Sequence, residues 1–508
     1  MAIVVRFVDR NEYVKERFLD LIHVKDTTAL TLKNEISSSL SYHKLNVQDI
    51  RGQGYDGASN MRGEWNGLQA LFLKECPYAY YVHCFAHQLQ LALVATSKDV
   101  IEVHAFFKKL NFIVNVLCSS STRNDQLQAT QLAKISHLAK IRELESGKGA
   151  NQIRTLQRPR DTRWSSHFKS ICNVMKFFGP AGVVLNDIAI EGSTSSQRGD
   201  ATYALTHLLS FDFVIIMHVM KEVMAITEKL CQFLQQKSQD IVNALTLVST
   251  TKTLIQKLRD EGWQSIMDQV NYFCGGNSIP VPDMNGTYSE IAQSRRKKDN
   301  VTVEHHYRVD VFIAAIDKQL QELNSRFNES AKELLRLSVA LDPRKSLNID
   351  DICKLAKTFY PMDFTEQENV QLKPELQHYE LDVCNHPQLK NVCRLFELCR
   401  GLQETRKSEI YPLVDRLVRL ILTLPVSTAI SERAFLAMKI VKTRLRNSMN
   451  DDFLKNCLIL NIEREIADTF STDKIIDDFY CMKQRRVQLK MHKVHFFIVF
   501  FYFFLFII

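Results

Sequence analysis

The first hundred residues alternate between two kinds of hydrophobic spacing. AIVVRFV (2–8) and YVKERFLDLIHV (13–24) are apolar runs rich in Val, Ile and Phe, separated by the polar DRNE, and this predicts an antiparallel hairpin. DTTALTLKNEISSSLSYH follows with apolar positions at helical intervals and Thr27 or Thr28 as its cap. NVQDIRGQGYD predicts a strand ending at Asp56, GEWNGLQALFLKE a helix, and AYYVHCFAHQLQLALVATSK a short strand running into a helix. The order β-β-α-β-α-β-α describes an α/β sheet.

Beyond residue 100 the pattern is helical. Residues 146–167 predict a loop and then a helix start, and 168–260 are strongly helical. Leu234, Ile241, Val248 and Ile255 recur every seven residues, beside Leu230, Leu245 and Leu258. Such a seam packs either an internal core or a partner helix, and the internal core is the favoured reading. Gly, Pro and charge mark 275–304 as a loop. Its basic run, Arg295–Lys298, reads as solvated, with nuclear targeting or a phosphate patch as alternatives. Residues 305–345 are helical and stop near LDPR, 346–410 are mixed and mostly helical, and two or three helices follow LTLPVS within 408–480.

Composition narrows the class without naming it. The 508 residues are 45% hydrophobic and 24% charged, enough for two or three globular domains. The net charge of +8 is compatible with a nucleic-acid partner. Twelve cysteines are scattered without a single CxxC, which excludes finger-type zinc spacing and points to a reducing compartment. The apolar run at the start is too short for a secretory signal. The run Phe496–Ile508 falls short of the roughly 20 residues a membrane span needs. Residues 491–508 are read as an artefactual tail, with a weak anchor or a docked element as alternatives, and no membrane partner is expected.

Four stretches carry chemistry together: GYDGASNM (54–61), HCFAHQLQLAL (83–93), DTRWSSH (161–167) and LPVSTAISERAFLAMKIVKTRLR (424–446). In this order and spacing they resemble the hAT superfamily of cut-and-paste DNA transposases. The nearest look-alikes are plant proteins with TTF-type or MYM-type zinc fingers and an hAT C-terminal dimerisation region, and the likeness runs from residue 2 to about 490. It implies an α/β plus α fold: a ribonuclease-H-like core, interrupted by a large all-helical insertion, with a helical C-terminal dimerisation region. The domains expected are 1–145 (first part of the core), 146–407 (loop and helical insertion) and 408–490 (dimerisation region completing the core).

The resemblance assigns roles to residues that alone read blandly. Asp56 matches the second acid of a two-metal site, and by itself is an Asx-turn residue. Glu432 matches the third acid, and by itself is a helix-start glutamate; Glu432, Phe435, Lys439 and Lys442 share a helix face by spacing. Hard oxygen ligands suit Mg²⁺ or Mn²⁺ in an active relative, and none is expected to reside in this chain. Cys84 and His87 form a C-x-x-H pair beside Asp56, read as packing with metal as the alternative. Arg158, Arg160, Arg163 and Trp164, with Lys439, Lys442, Arg444 and Arg446, are the expected DNA contacts; Trp164 reads either as a base-stacking indole or as a buried anchor.

The family's first acid lies on a strand before the hairpin. Met1 opens on what reads as the second strand, so the first strand with its acid and the N-terminal zinc-finger reader are expected to be missing. Asp9 falls in the hairpin turn and is not a substitute. The expectation is an N-terminally truncated, transposase-derived nuclear protein that dimerises, binds DNA and is catalytically inactive. The alternatives are an active transposase whose gene model lost its N-terminus, and a protein-interaction scaffold without DNA binding.

Overall fold

The computed structural model describes every residue except 12, 141–155, 157–163, 237–238, 289–300, 330–332, 384, 445 and 483–508; for 134–140, 164–165 and 328–329 it describes the backbone alone. The described residues are mostly helical, with two small two-stranded sheets. They divide into two compact units, residues 1–84 with 340–508, and residues 85–339.

The first unit opens with the expected hairpin. Strands β1 (Ala2–Val8) and β2 (Val14–Leu21) pair antiparallel from Ala2↔Leu21 to Val8↔Val14. The Asp9 carboxylate accepts from the Asn11 and Tyr13 amides, both at 2.9 Å, and so builds the turn. Helix α1 (Ala29–Tyr42) starts at Thr28, whose hydroxyl caps the Thr31 amide. Strand β3 (Gly52–Tyr55), helix α2 (Leu68–Glu75) and strand β4 (Tyr80–His83) follow. The element order matches the periodicity, but among the described residues the single sheet does not form. β3 pairs with β4 in parallel, and neither bonds to the hairpin. With four residues each, β3 and β4 offer little backbone to extend a ladder.

Past residue 340 this unit adds helices α3 (Ile349–Phe359), α4 (Glu366–Val383), α5 (Leu395–Glu404), α6 (Pro412–Thr423), α7 (Ala429–Val441), α8 (Asp451–Ile462) and α9 (Thr472–Cys481). The hairpin is covered from this side. Phe18 packs with Ala434, Ala437 and Val441 of α7 and Leu454 and Leu458 of α8. Glu463 accepts from the Phe18 amide at 2.8 Å and pairs with Arg17 at 2.7 Å, satisfying a strand-edge donor. Arg6 donates to the Leu422 carbonyl at 2.8 Å, fastening β1 to the end of α6.

The second unit is mostly helical among its described residues, with one isolated antiparallel bridge between Thr287 and Thr302. The seven-residue repeat does not run along one helix. Leu234 ends the helix Phe211–Leu234, and Ile241 begins the helix Ile241–Gly276, capped by Asp240. Leu234, Ile241, Val248 and Ile255 are all buried inside this unit, so the repeat fills an internal core. The helices of 85–118, expected with the first part of the core, pack in this unit. The basic run Arg295–Lys298 and the tail 491–508 lie outside the described residues, among which no helix is long and apolar enough to cross a membrane.

Asp20 ties three elements of the first unit together. Its buried carboxylate accepts from Ser39 of α1 at 2.8 Å and pairs with Lys455 of α8 at 2.8 Å. Burial pushes this carboxyl up, but the hydrogen bonds from Lys455 and Ser39 and the Lys455 charge outweigh it, holding it below the usual range. A depressed folded value means the stabilisation is present above the unfolded value of about 3.9 and is lost as pH falls through the folded one. Asp20→Asn is expected to cost about 1–3 kcal/mol at neutral pH and to flatten this acid loss. Urea unfolding at a series of pH values checks it; an unchanged acid limb would remove Asp20 from the account.

Candidate functional site

The parallel register of β3 and β4 puts both strand ends at one edge. Gly52 faces Tyr80, Gly54 faces Val82 and Tyr55 faces His83, and the Cys84 amide closes the ladder on the Tyr55 carbonyl at 3.0 Å. Side chains alternate along β3. Gln53 points to the buried side, where its amide donates to the carbonyls of Ala79 (2.7 Å) and Gln69 (3.2 Å). Gly52 and Gly54 point the other way, onto Pro425. A Cβ on Gly52 would lie 2.9 Å from the Pro425 ring, and one on Gly54 2.8 Å from it. The space beside these glycines is filled by the chain's own later segment.

That segment, Leu424–Thr428, leads into α7. At its end the Thr428 amide (3.2 Å) and hydroxyl (3.3 Å) both donate to the sulfur of Cys84. The opposite end of the strand pair is held as well. Arg51 makes a two-pronged ion pair with Asp363 at 2.8 and 3.0 Å, and the Tyr80 hydroxyl donates to the Phe359 carbonyl at 2.7 Å. The pair is therefore clamped along its length by residues 359–363 and 424–428.

Asp56 follows the end of β3, and Glu432 lies one helical turn past Thr428, which contacts Cys84 at the end of β4. Asp56 is the first residue beyond β3, and it is exposed. One of its oxygens accepts from the Ala58 amide at 3.4 Å, the Asx-turn geometry expected of the residue alone. The Tyr81 hydroxyl reaches the Asp56 carbonyl at 3.4 Å; burial pushes this hydroxyl above its ordinary range, so it remains a neutral donor. Glu432 lies in the first turn of α7, its amide bonded to the Thr428 carbonyl at 3.1 Å, and it is half-buried.

The other expected site residues divide three ways. On α7, Ala434, Ala437 and Val441 face the core, which leaves Glu432, Phe435 and Lys439 on the outer side as their spacing predicts; Lys442 ends the helix in an extended conformation. Lys439, Lys442 and Arg444 are exposed, and Arg446 is half-buried. Cys84 is buried and its sulfur serves Thr428, while His87 is half-buried on the helix Phe85–Asp99 of the other unit. Arg158, Arg160 and Arg163 lie outside the described residues; Trp164 begins the helix Trp164–Lys176, and its side chain is not described.

Sequence reasoning missed Pro425 and Thr428 as the residues that join the edge together. The only signal was their place in LPVST, since their partners lie more than three hundred positions earlier. The carboxylates of Asp56 and Glu432 are hard oxygen donors of the kind a divalent cation takes. Among the described residues, no three His, Cys, Asp or Glu side chains form a group able to hold a metal ion, and one oxygen of Asp56 is engaged in its turn. This donor set does not fit a two-metal centre.

Comparison with known proteins agrees with the division of the chain. Residues 1–67 match the family described as ZMYM1/FAM200, RNase-like domain, and residues 375–466 match the hAT family C-terminal dimerisation region. Both matches fall in the first unit. Together they support an hAT-like, transposase-derived protein with a region that suggests homo-oligomerisation. Two curated relatives are similar over nearly the whole chain, each described as a 52 kDa repressor of the inhibitor of the protein kinase. The Mus musculus protein is 21% identical over 502 residues, 96% of this chain and 63% of that protein. The Homo sapiens protein is 21% identical over 492 residues, 94% of this chain and 61% of that protein. The chain thus spans less than two thirds of the length of these relatives.

The contact between Thr428 and Cys84 makes a graded test. Thr428→Val removes the hydroxyl bond and keeps the amide one, and is expected to cost about 1 kcal/mol. Asp56→Ala, at an exposed position, is expected to stay within about 0.5 kcal/mol. Thermal unfolding of both variants decides; equal losses would contradict the clamp.

Proposed function

We propose that the chain is a transposase-derived protein that self-associates through its C-terminal helices, binds DNA in the nucleus and, in these 508 residues, does not cut or join DNA. The observation that carries this reading is the closure of the first unit: residues 424–428 lie against β3 and reach Cys84 just before the helix that carries Glu432. A ribonuclease-H-like core interrupted by an insertion is supported by the two family matches within this unit, with residues 85–339 falling between them. In this reading the hairpin and the parallel pair belong to such a core. Catalytic silence is supported by the donor set: two carboxylates, one of them holding a turn, do not position two metal ions.

Self-association is supported by apolar side chains left in solvent. Phe435, Leu436 and Ile440 of α7 and Phe453 and Leu460 of α8 are exposed within the region matching the dimerisation family. DNA binding is supported by the exposed cations Lys439, Lys442 and Arg444 at the end of α7. The arginines of 158–163 are proposed to add to it.

One preparation tests all three parts. Light scattering is expected to find dimers at a concentration on the order of tens of micromolar and monomers after Phe435→Glu with Ile440→Glu; a monomeric parent chain contradicts the reading. Gel shift across salt is expected to weaken, with a flatter salt slope, when Lys439, Lys442 and Arg444 become Gln. No shift at low salt favours the scaffold alternative. Mn²⁺-dependent nicking abolished by Asp56→Asn or Glu432→Gln would contradict catalytic silence.

A further inference from the structure

One loop beside the Asp56 edge is built to hold a side chain outward. Between the short helical turn Ser59–Arg62 and α2, residues Gly63–Gly67 close on themselves: the Gly67 amide donates to the Gly63 carbonyl at 3.0 Å. A Cβ on Gly67 would lie 2.4 Å from the Gly63 nitrogen, so only glycine permits the pinch. The three residues between, Glu64, Trp65 and Asn66, are all exposed. The Trp65 side chain is 81% exposed, whereas Trp263, in the other unit, is buried.

The loop has a firm base. Leu68 and Phe72 of α2, which starts directly after Gly67, are buried with Leu32 and Leu40 of α1. The Lys74 ammonium donates to the Trp65 carbonyl at 3.2 Å, placing a positive charge under the loop. Arg62, exposed just before it, is close enough to the Tyr81 hydroxyl to perturb it, as is Asp56. An indole held in solvent on a backbone that cannot collapse over it, with Lys74 bonded to its own carbonyl and Arg62 three residues before it, has the parts by which proteins stack an unpaired base while holding its phosphates. Glu64 tempers the local charge and faces solvent.

We infer that Trp65, served by the nearby cations Arg62 and Lys74, is a stacking contact for an unpaired base of single-stranded nucleic acid beside Asp56. This rests on the nucleic-acid part of the function proposed above. A duplex hides its base faces, so the contact favours single strands, or duplex ends whose terminal base is splayed out.

The test uses the full chain and a labelled oligothymidylate of about twelve nucleotides, followed by anisotropy over a range of salt. Trp65→Ala is expected to weaken binding about tenfold with an unchanged salt slope, and Trp65→Phe to recover most of the loss. Arg62→Gln and Lys74→Gln are each expected to lower the slope by about 0.7. Blunt duplex of the same length should be far less sensitive to Trp65→Ala. Unchanged single-strand affinity of Trp65→Ala overturns the inference and leaves the DNA reading standing. An equal loss on duplex, or a loss of self-association without a loss of oligonucleotide affinity, also overturns it. A parent chain that binds no oligonucleotide at low salt overturns both.

Discussion

The structure of the first unit depends on a close approach of backbone to ring. Pro425 lies against Gly52 and Gly54, where a side chain on β3 would meet its ring below 3.0 Å. Protein interiors are packed closely enough that such a gap admits either the ring or a methyl group, not both. The choice of glycine lets two segments from opposite ends of the chain form one layer. It also accounts for the short strands: β3 supplies a surface for the later segment rather than the centre of a wide sheet.

Polar ties then fix what that contact brings near. Arg51 with Asp363, and Tyr80 with Phe359, hold one end of the strand pair; Cys84 with Thr428 holds the other. Arg6, Glu463 and the Asp20–Lys455 pair seat the hairpin on α6, α7 and α8. Each tie is worth about 1 kcal/mol net, and more where removal strands a buried partner. Their combined effect is positional. Asp56 follows the strand so held, and Glu432 starts the helix that leaves the clamp.

Local features of this fold were legible in the sequence because their causes are local. The hairpin follows from two apolar runs around a polar turn, and Thr28 caps α1 because threonine can accept from an amide three residues on. The outer face of α7 follows from helical spacing around Ala434, Ala437 and Val441. What failed had distant or competing causes. The seven-residue repeat hid a break at 235–240, although the polar QQKSQD and the cap Asp240 stood within it. Cys84 reads as packing beside Asp56, but nothing near it names the partner of its sulfur, a threonine far along the chain. The glycines flanking Gln53 carried no sign of Pro425, because nothing local records what presses on a strand.

The most direct test is a double-mutant cycle on Gly54→Ala and Pro425→Gly. It is read by hydrogen exchange of the Cys84 amide, whose bond to Tyr55 reports the opening of this strand pair. If the ring and the strand are in contact, Gly54→Ala costs about 2 kcal/mol in the parent chain and much less once Pro425 is glycine, a coupling of about 1 kcal/mol or more. Additive effects, within about 0.5 kcal/mol, would mean that β3 and residues 424–428 do not meet.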